Sequence, residues 1–168
     1  MVLISLLWAC SINKAPLKSP VPQDLYMISS LDQLDTRASI PIPAPLQKAI
    51  TNKITERGLQ IKTLTINDRY SSQRNSGLRA KLYTKRPLLV VETQAQFFSQ
   101  LEGRFRWTVE AQISLHASGG EVFQKTLSIP VFHQFHHQRE KESLEAAQEQ
   151  ILRSLDRILD DYIRGIKP

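Results

Sequence analysis

Hydrophobic and polar positions alternate most regularly over 104–116. Phe105, Trp107, Val109, Ala111, Ile113 and Leu115 fall on one side of the alternation. Arg104, Arg106, Thr108, Glu110, Gln112, Ser114 and His116 fall on the other. A period of two is that of a strand with one face buried and one wet. Ser118, Gly119 and Gly120 then supply a hairpin turn. The return strand presents Phe123, Leu127, Ile129 and Val131 on one face, with Lys125 interrupting. Pro130 has no N–H to give a ladder, so this strand belongs at a sheet edge or carries a bulge there.

Elsewhere the period lengthens to that of a helix. Leu144, Ala147, Ile151, Leu155, Ile158 and Tyr162 make an apolar stripe over 138–164, a helix of about 40 Å. Glu149 with Arg153, and Asp160 with Arg164, stand at i,i+4 in the favourable order. Upstream, Leu46, Ala49, Ile50 and Ile54 recur at helical spacing between Pro45, placed as a first-turn proline, and Gly58, placed as a C-terminal cap. Short strands are expected at 25–28, 59–66 and from Leu88 towards Phe97 and Phe98, and a polar loop at 67–77. This order predicts an α+β fold. A mostly antiparallel sheet with a long hairpin is covered by an N-terminal and a long C-terminal helix, all in one domain over 24–168.

The chain has 168 residues and a formal net charge of +6. That length suits one domain burying roughly two thirds of its unfolded surface, and the positive balance favours acidic partners. Its single cysteine excludes an internal disulfide and leaves the redox compartment open. No run approaches the ~20 apolar residues of a spanning helix.

The apolar run that comes nearest to a membrane signal is at the start. Residues 2–9 are apolar except for Ser5, and the small Ala9 directly precedes Cys10. A signal peptide needs an apolar region and a small residue at the cut. The stretch resembles the bacterial lipobox, with Leu7 at −3, Ala9 at −1 and Cys10 as the lipid-modified residue; Trp8 at −2 is bulkier than that pattern usually shows. No Lys or Arg precedes the run, whereas signal peptides begin with a positive region. Either basic residues are encoded upstream of Met1, or the run is a buried strand and Cys10 a core thiol. Pro16, Pro20 and Pro22, interleaved with Ser, Lys and Asn, favour the first. They are the composition of a semi-extended tether over 10–23, following a signal-like segment at 1–9. The resemblance implies a cysteine carrying three acyl chains. With Ser11 rather than Asp after it, it also implies a place at the periplasmic face of the outer membrane.

Nothing in the sequence points to catalysis. No phosphate loop, zinc-protease helix or nucleophile elbow is present, and no cofactor motif is found. A non-enzymatic protein without cofactor is expected. His133, His136 and His137 are a weak candidate metal or pH-sensing group, lacking a cysteine or a carboxylate before Glu140. The basic residues say more. Arg69, Arg74, Arg79, Lys81, Lys85 and Arg86 occur with no acid among them, and Arg104 and Arg106 lie on the wet side of the long strand. Arg79, Lys81, Lys85, Arg86, Arg104 and Arg106 are therefore the candidate contacts to an anionic lipid or protein partner, each contributing ~1 kcal/mol near an anionic surface. Nucleic acid competes for the same residues. A sheet that reads RNA needs aromatics on its exposed face, and Phe105 and Trp107 fall opposite Arg104 and Arg106.

The order of helix, strands, long hairpin and closing helix after a lipobox-like cysteine resembles small Gram-negative envelope lipoproteins. These include the lipopolysaccharide-assembly lipoprotein that plugs an outer-membrane barrel, the YajG-type lipoproteins and the auxiliary lipoproteins of lipid-transport ABC systems. The resemblance spans roughly 45–163 as a pattern and carries over one functional residue, Cys10. It implies a lipid-anchored accessory in envelope assembly or transport, held to the membrane and binding an anionic lipid or protein partner. The alternative is a cytoplasmic nucleic-acid-binding α+β domain using 69–86.

Overall fold

A computed structural model describes residues 24–33, 38–64, 86–135, 137 and 139–165. Cys10, the tether and the polar segment 67–77 lie outside these residues, as do Arg79, Lys81, Lys85 and His136. The described chain runs β1 (Asp24–Gln33), β2 (Ala38–Ile40), α1 (Ala44–Thr55), β3 (Gln60–Leu64), β4 (Leu88–Leu101), β5 (Arg104–His116), β6 (Val122–His133) and α2 (Glu140–Arg164). The fold is α+β: a six-stranded, mostly antiparallel sheet with a short N-terminal and a long C-terminal helix.

The sheet order is β2-β1-β4-β5-β6, with β3 also on β1. β1 is paired along both sides. β4 runs parallel to it on one side (Tyr26 opposite Leu88), while β3, parallel, and β2, antiparallel, divide the other between its first and second halves. Parallel pairing needs a crossover, and α1 supplies the one between β1 and β3. β4, β5 and β6 form an antiparallel meander, and β6 is the edge that Pro130 requires.

Both helices join one core with the same side of the sheet. Leu25, Met27 and Leu31 of β1, Leu89 and Val91 of β4, and Val109, Ala111, Ile113 and Leu115 of β5 meet Leu46, Ile50 and Ile54 of α1 and Leu144, Ile151 and Leu155 of α2. Phe123, Ile129 and Val131 continue that face on β6, in the alternation read from the sequence. Thr93 is buried there without cost, because its Oγ1 donates to the Ser30 carbonyl at 2.8 Å.

Local signals set the helix ends. Pro43 and Pro45 open α1, Gln47 N–H bonding the Pro43 carbonyl at 3.0 Å, and Gly58 (φ 75°) turns the chain out of it. At the start of α2 the Glu142 carboxylate accepts from the Arg139 N–H at 3.0 Å, and Gly165 (φ 67°) closes the other end. Glu149 pairs with Arg153 as its spacing predicts. Asp160 does not pair with Arg164. It meets Arg57 of α1 at 3.2 Å, and Asp156 beside it takes Arg57 at 2.8 Å and Lys53 at 3.1 Å. Half-buried Arg57 gains more from two carboxylates across a helix interface than an exposed i,i+4 pair would return.

Candidate functional site on the open face of the sheet

The side of the sheet away from the helices changes character along its length. At the end where β1 begins, Ile28, Leu88 and Val90 form a small second cluster, with Tyr26 and Leu64 against it. Arg86 lies over the Tyr26 ring at 5.4 Å and bonds Asp24 and the Tyr26 hydroxyl at 3.2 and 3.0 Å. In the middle, Asp32, Glu92 and Glu110 line a shallow hollow of about 170 Å³ with Gln94 and Gln112. At the far end, Ser99, Leu101, Glu102, Arg104, Arg106 and Phe132 line a wider one of about 590 Å³.

Two backbone features build that far end. The ladder between β4 and β5 slips between Phe97 and Ser99, so that Phe98 is an extra residue. Phe97 turns to the helix side and meets Trp107 in a T-shaped contact, with ring centroids 5.8 Å apart. Phe98 comes out on the open side, where the Arg106 guanidinium stacks on it at 4.4 Å. The chain then reverses through Glu102 (φ 49°) and Gly103 (φ 73°). Two consecutive positive φ values make the tight turn that matches strand twist. Leu101 and Arg104 face each other across it, and Phe132 of β6 stands directly opposite Arg106. Arg106 keeps a buried Nε with no hydrogen-bond partner among the described residues.

The candidate residues of the sequence therefore separate. Arg104 and Arg106 share the hairpin end, whereas Arg86 sits by Leu88, the length of β4 away, roughly 40 Å. One expectation needs correcting. Trp107 does lie on the helix side, yet the basic face is not free of aromatics, because Phe98 and Phe132 flank Arg106. Phe98 comes there in the same phase as Leu88, Val90 and Gln94 of β4, and Phe132 comes from the return strand; the slip after Phe98 adds Leu101. The tandem Phe97 and Phe98 carried a signal, since neighbours in a strand point to opposite faces. Phe132 beside the buried Val131 carried the same one.

The histidines separate too. His133 is buried on the helix side, its Nε2 2.9 Å from the Ser143 hydroxyl of α2. His137 is exposed and stacks on Phe135, with centroids 5.5 Å apart. Among the described residues no three His, Cys, Asp or Glu side chains gather as metal ligands. Burial lowers the His133 pKa from its ordinary 6.5, and the charge of Glu142 offsets this only in part. The Glu142 carboxyl is itself lowered, first by the N–H of Arg139. As pH falls below 6.5 the unfolded chain takes up a proton that folded His133 resists, so stability is full above that value and declines towards the lowered one. Glu142 adds a loss of the same sign at lower pH. Thermal unfolding is expected at a lower temperature at pH 5.5 than at 7.5, and His133→Gln is expected to flatten that difference. An unchanged slope in the variant would remove His133 as its source.

No protein-family model matches the chain, and no curated protein matches it. Three solved structures similar to it are bacterial lipoproteins. The rare lipoprotein B of Shewanella oneidensis is 8% identical at a TM-score of 0.35, over 85% of this chain and 92% of that one. A minor lipoprotein of Acinetobacter baumannii is 15% identical at 0.36, over 87% and 91%. Lipoprotein GNA1162 of Neisseria meningitidis is 12% identical at 0.44, over 81% and 99%. At such identities and scores, function has to be argued from the residues of this chain.

Proposed function

We propose that the chain is a lipid-anchored accessory protein of the bacterial envelope, attached through Cys10 at the periplasmic face of the outer membrane. It acts by binding an anionic lipid or protein partner in assembly or transport rather than by catalysis. The observation that carries the binding half is the hairpin end of the open face. There Arg104 and Arg106 stand beside Phe98, Leu101 and Phe132, large apolar groups that are all more than half exposed. Clustered apolar exposure of this kind marks contact surfaces, where a lone exposed leucine would not. The anchoring half rests on Leu7, Ala9 and Cys10 with the proline-rich stretch behind them. Mass spectrometry of the N-terminus, on protein from cells of the native type, tests it. An acylated Cys10 supports the reading, and an intact Met1 overturns it.

A second reading, nucleic-acid binding, gains from Phe98 and Phe132 on the basic face, since bases stack on such rings beside arginines. It is opposed by the middle of the same face, where Asp32, Glu92 and Glu110 would meet a phosphate backbone crossing the sheet. A single-stranded RNA oligonucleotide is expected to show no salt-dependent binding, and its appearance would restore that reading.

A further inference from the structure

We propose that the β4–β5 hairpin end docks on an anionic bilayer, seating Phe98, Leu101 and Phe132 among acyl chains while Arg104 and Arg106 take headgroup phosphates. This deepens the binding half of the function proposed above and does not depend on the anchor. Phe98, Leu101 and Phe132 expose 64%, 71% and 59% of their surface. They occupy one end of one face, beside the two-residue turn at which the hairpin ends. Arg106 lies along the Phe98 ring, so the ring can enter hydrocarbon while its cation stays at headgroup level. Charge follows the same plan: among the described residues Glu102 is the one acid lining the hollow against two arginines; Glu110 shares the neighbouring hollow with Phe98 and Arg106, and Asp32 and Glu92 lie further back. The chain enters the sheet at the opposite end, at Asp24. Residues 10–23 span at most about 50 Å when extended, against roughly 40 Å of β4, so a tether of this length allows the tip to reach the surface that holds Cys10.

The test uses the full-length chain carrying Cys10→Ser, so that no acyl chain contributes. Co-sedimentation is measured with vesicles of phosphatidylcholine containing one quarter phosphatidylglycerol, and with phosphatidylcholine alone. Arg104→Ala with Arg106→Ala is expected to lower partition onto the anionic vesicles by about fivefold per arginine and to leave the neutral vesicles unchanged. Phe98→Ser with Leu101→Ser is expected to lower partition onto both by about tenfold or more. Should that pair fail to fold, Leu101→Gln alone, at the most exposed of the three positions, reads the same loss. Three results overturn the proposal: equal partition of parent and variants, equal binding to neutral and anionic vesicles, or variants that change only the sedimentation coefficient. The last would make the tip an interface between two copies of the chain. None of these bears on whether Cys10 is acylated, which mass spectrometry decides separately.

Discussion

Serine at position 10 is expected to move the protein from the membrane pellet to the soluble fraction of its native cells, lowering the pelleted share at least ~10-fold after a high-salt wash. Lipid modification of such a cysteine needs its sulfur, and a serine hydroxyl is no substitute. A single acyl chain holds a protein only marginally, whereas two or more hold it lastingly, so loss of all of them is a large effect. The wash separates this anchor from the hairpin end, whose arginines are weakened by salt while an acyl chain is not. A pellet share unchanged by Cys10→Ser would sink the anchoring reading.

The elements legible in the sequence are those whose neighbours in space are also neighbours in the chain. β5, the turn at Ser118–Gly120, β6 with its edge proline, α1 between Pro45 and Gly58, and α2 all show in local periodicity and punctuation. The place of β1 does not. A ten-residue strand paired with β2, β3 and β4 is fixed by contacts from well separated parts of the chain, and the weak pattern after Asp24 showed only Leu25 to Ile28. The ion pairs of Arg57 were hidden for the same reason. Asp156 and Asp160 stand one turn apart on α2, and only the packing of α1 decides that they serve Arg57 rather than Arg164.

The aromatics of the basic face come from the strands on either side of β5. Counting by twos from Trp107 places the aromatics of β5 inside, but Phe98 comes from β4, and the slip after it resets the count so that Leu101 joins the open face. A single inserted residue sends every later side chain of a strand to the other face. The candidate site is thus made of residues whose types were visible and whose meeting was not: Arg106 from one strand, Phe98 from a bulge in the next, Phe132 from the edge.

Leu155→Ala is expected to cost about 2–5 kcal/mol and to lower the unfolding midpoint by roughly 5–15 °C. Leu155 is fully buried at the middle of the stripe Leu144, Ala147, Ile151, Leu155 and Ile158. This stripe joins the cluster made by the inner faces of β4, β5 and β6, while Glu145, Glu149, Arg153 and Arg157 stay outside. Removing the isobutyl group loses its transfer free energy and leaves a void that a helix bound along its length closes poorly. Ile163, on the same helix and 37% exposed, is the control: Ile163→Ala is expected to cost no more than about 0.5 kcal/mol. Chemical denaturation of both variants reads the contrast. Equal losses would mean that burial along α2 does not decide its hold on the sheet. A loss at Leu155 with the vesicle partition of the hairpin end unchanged would show that the helix layer stabilises the sheet independently of what its open face binds.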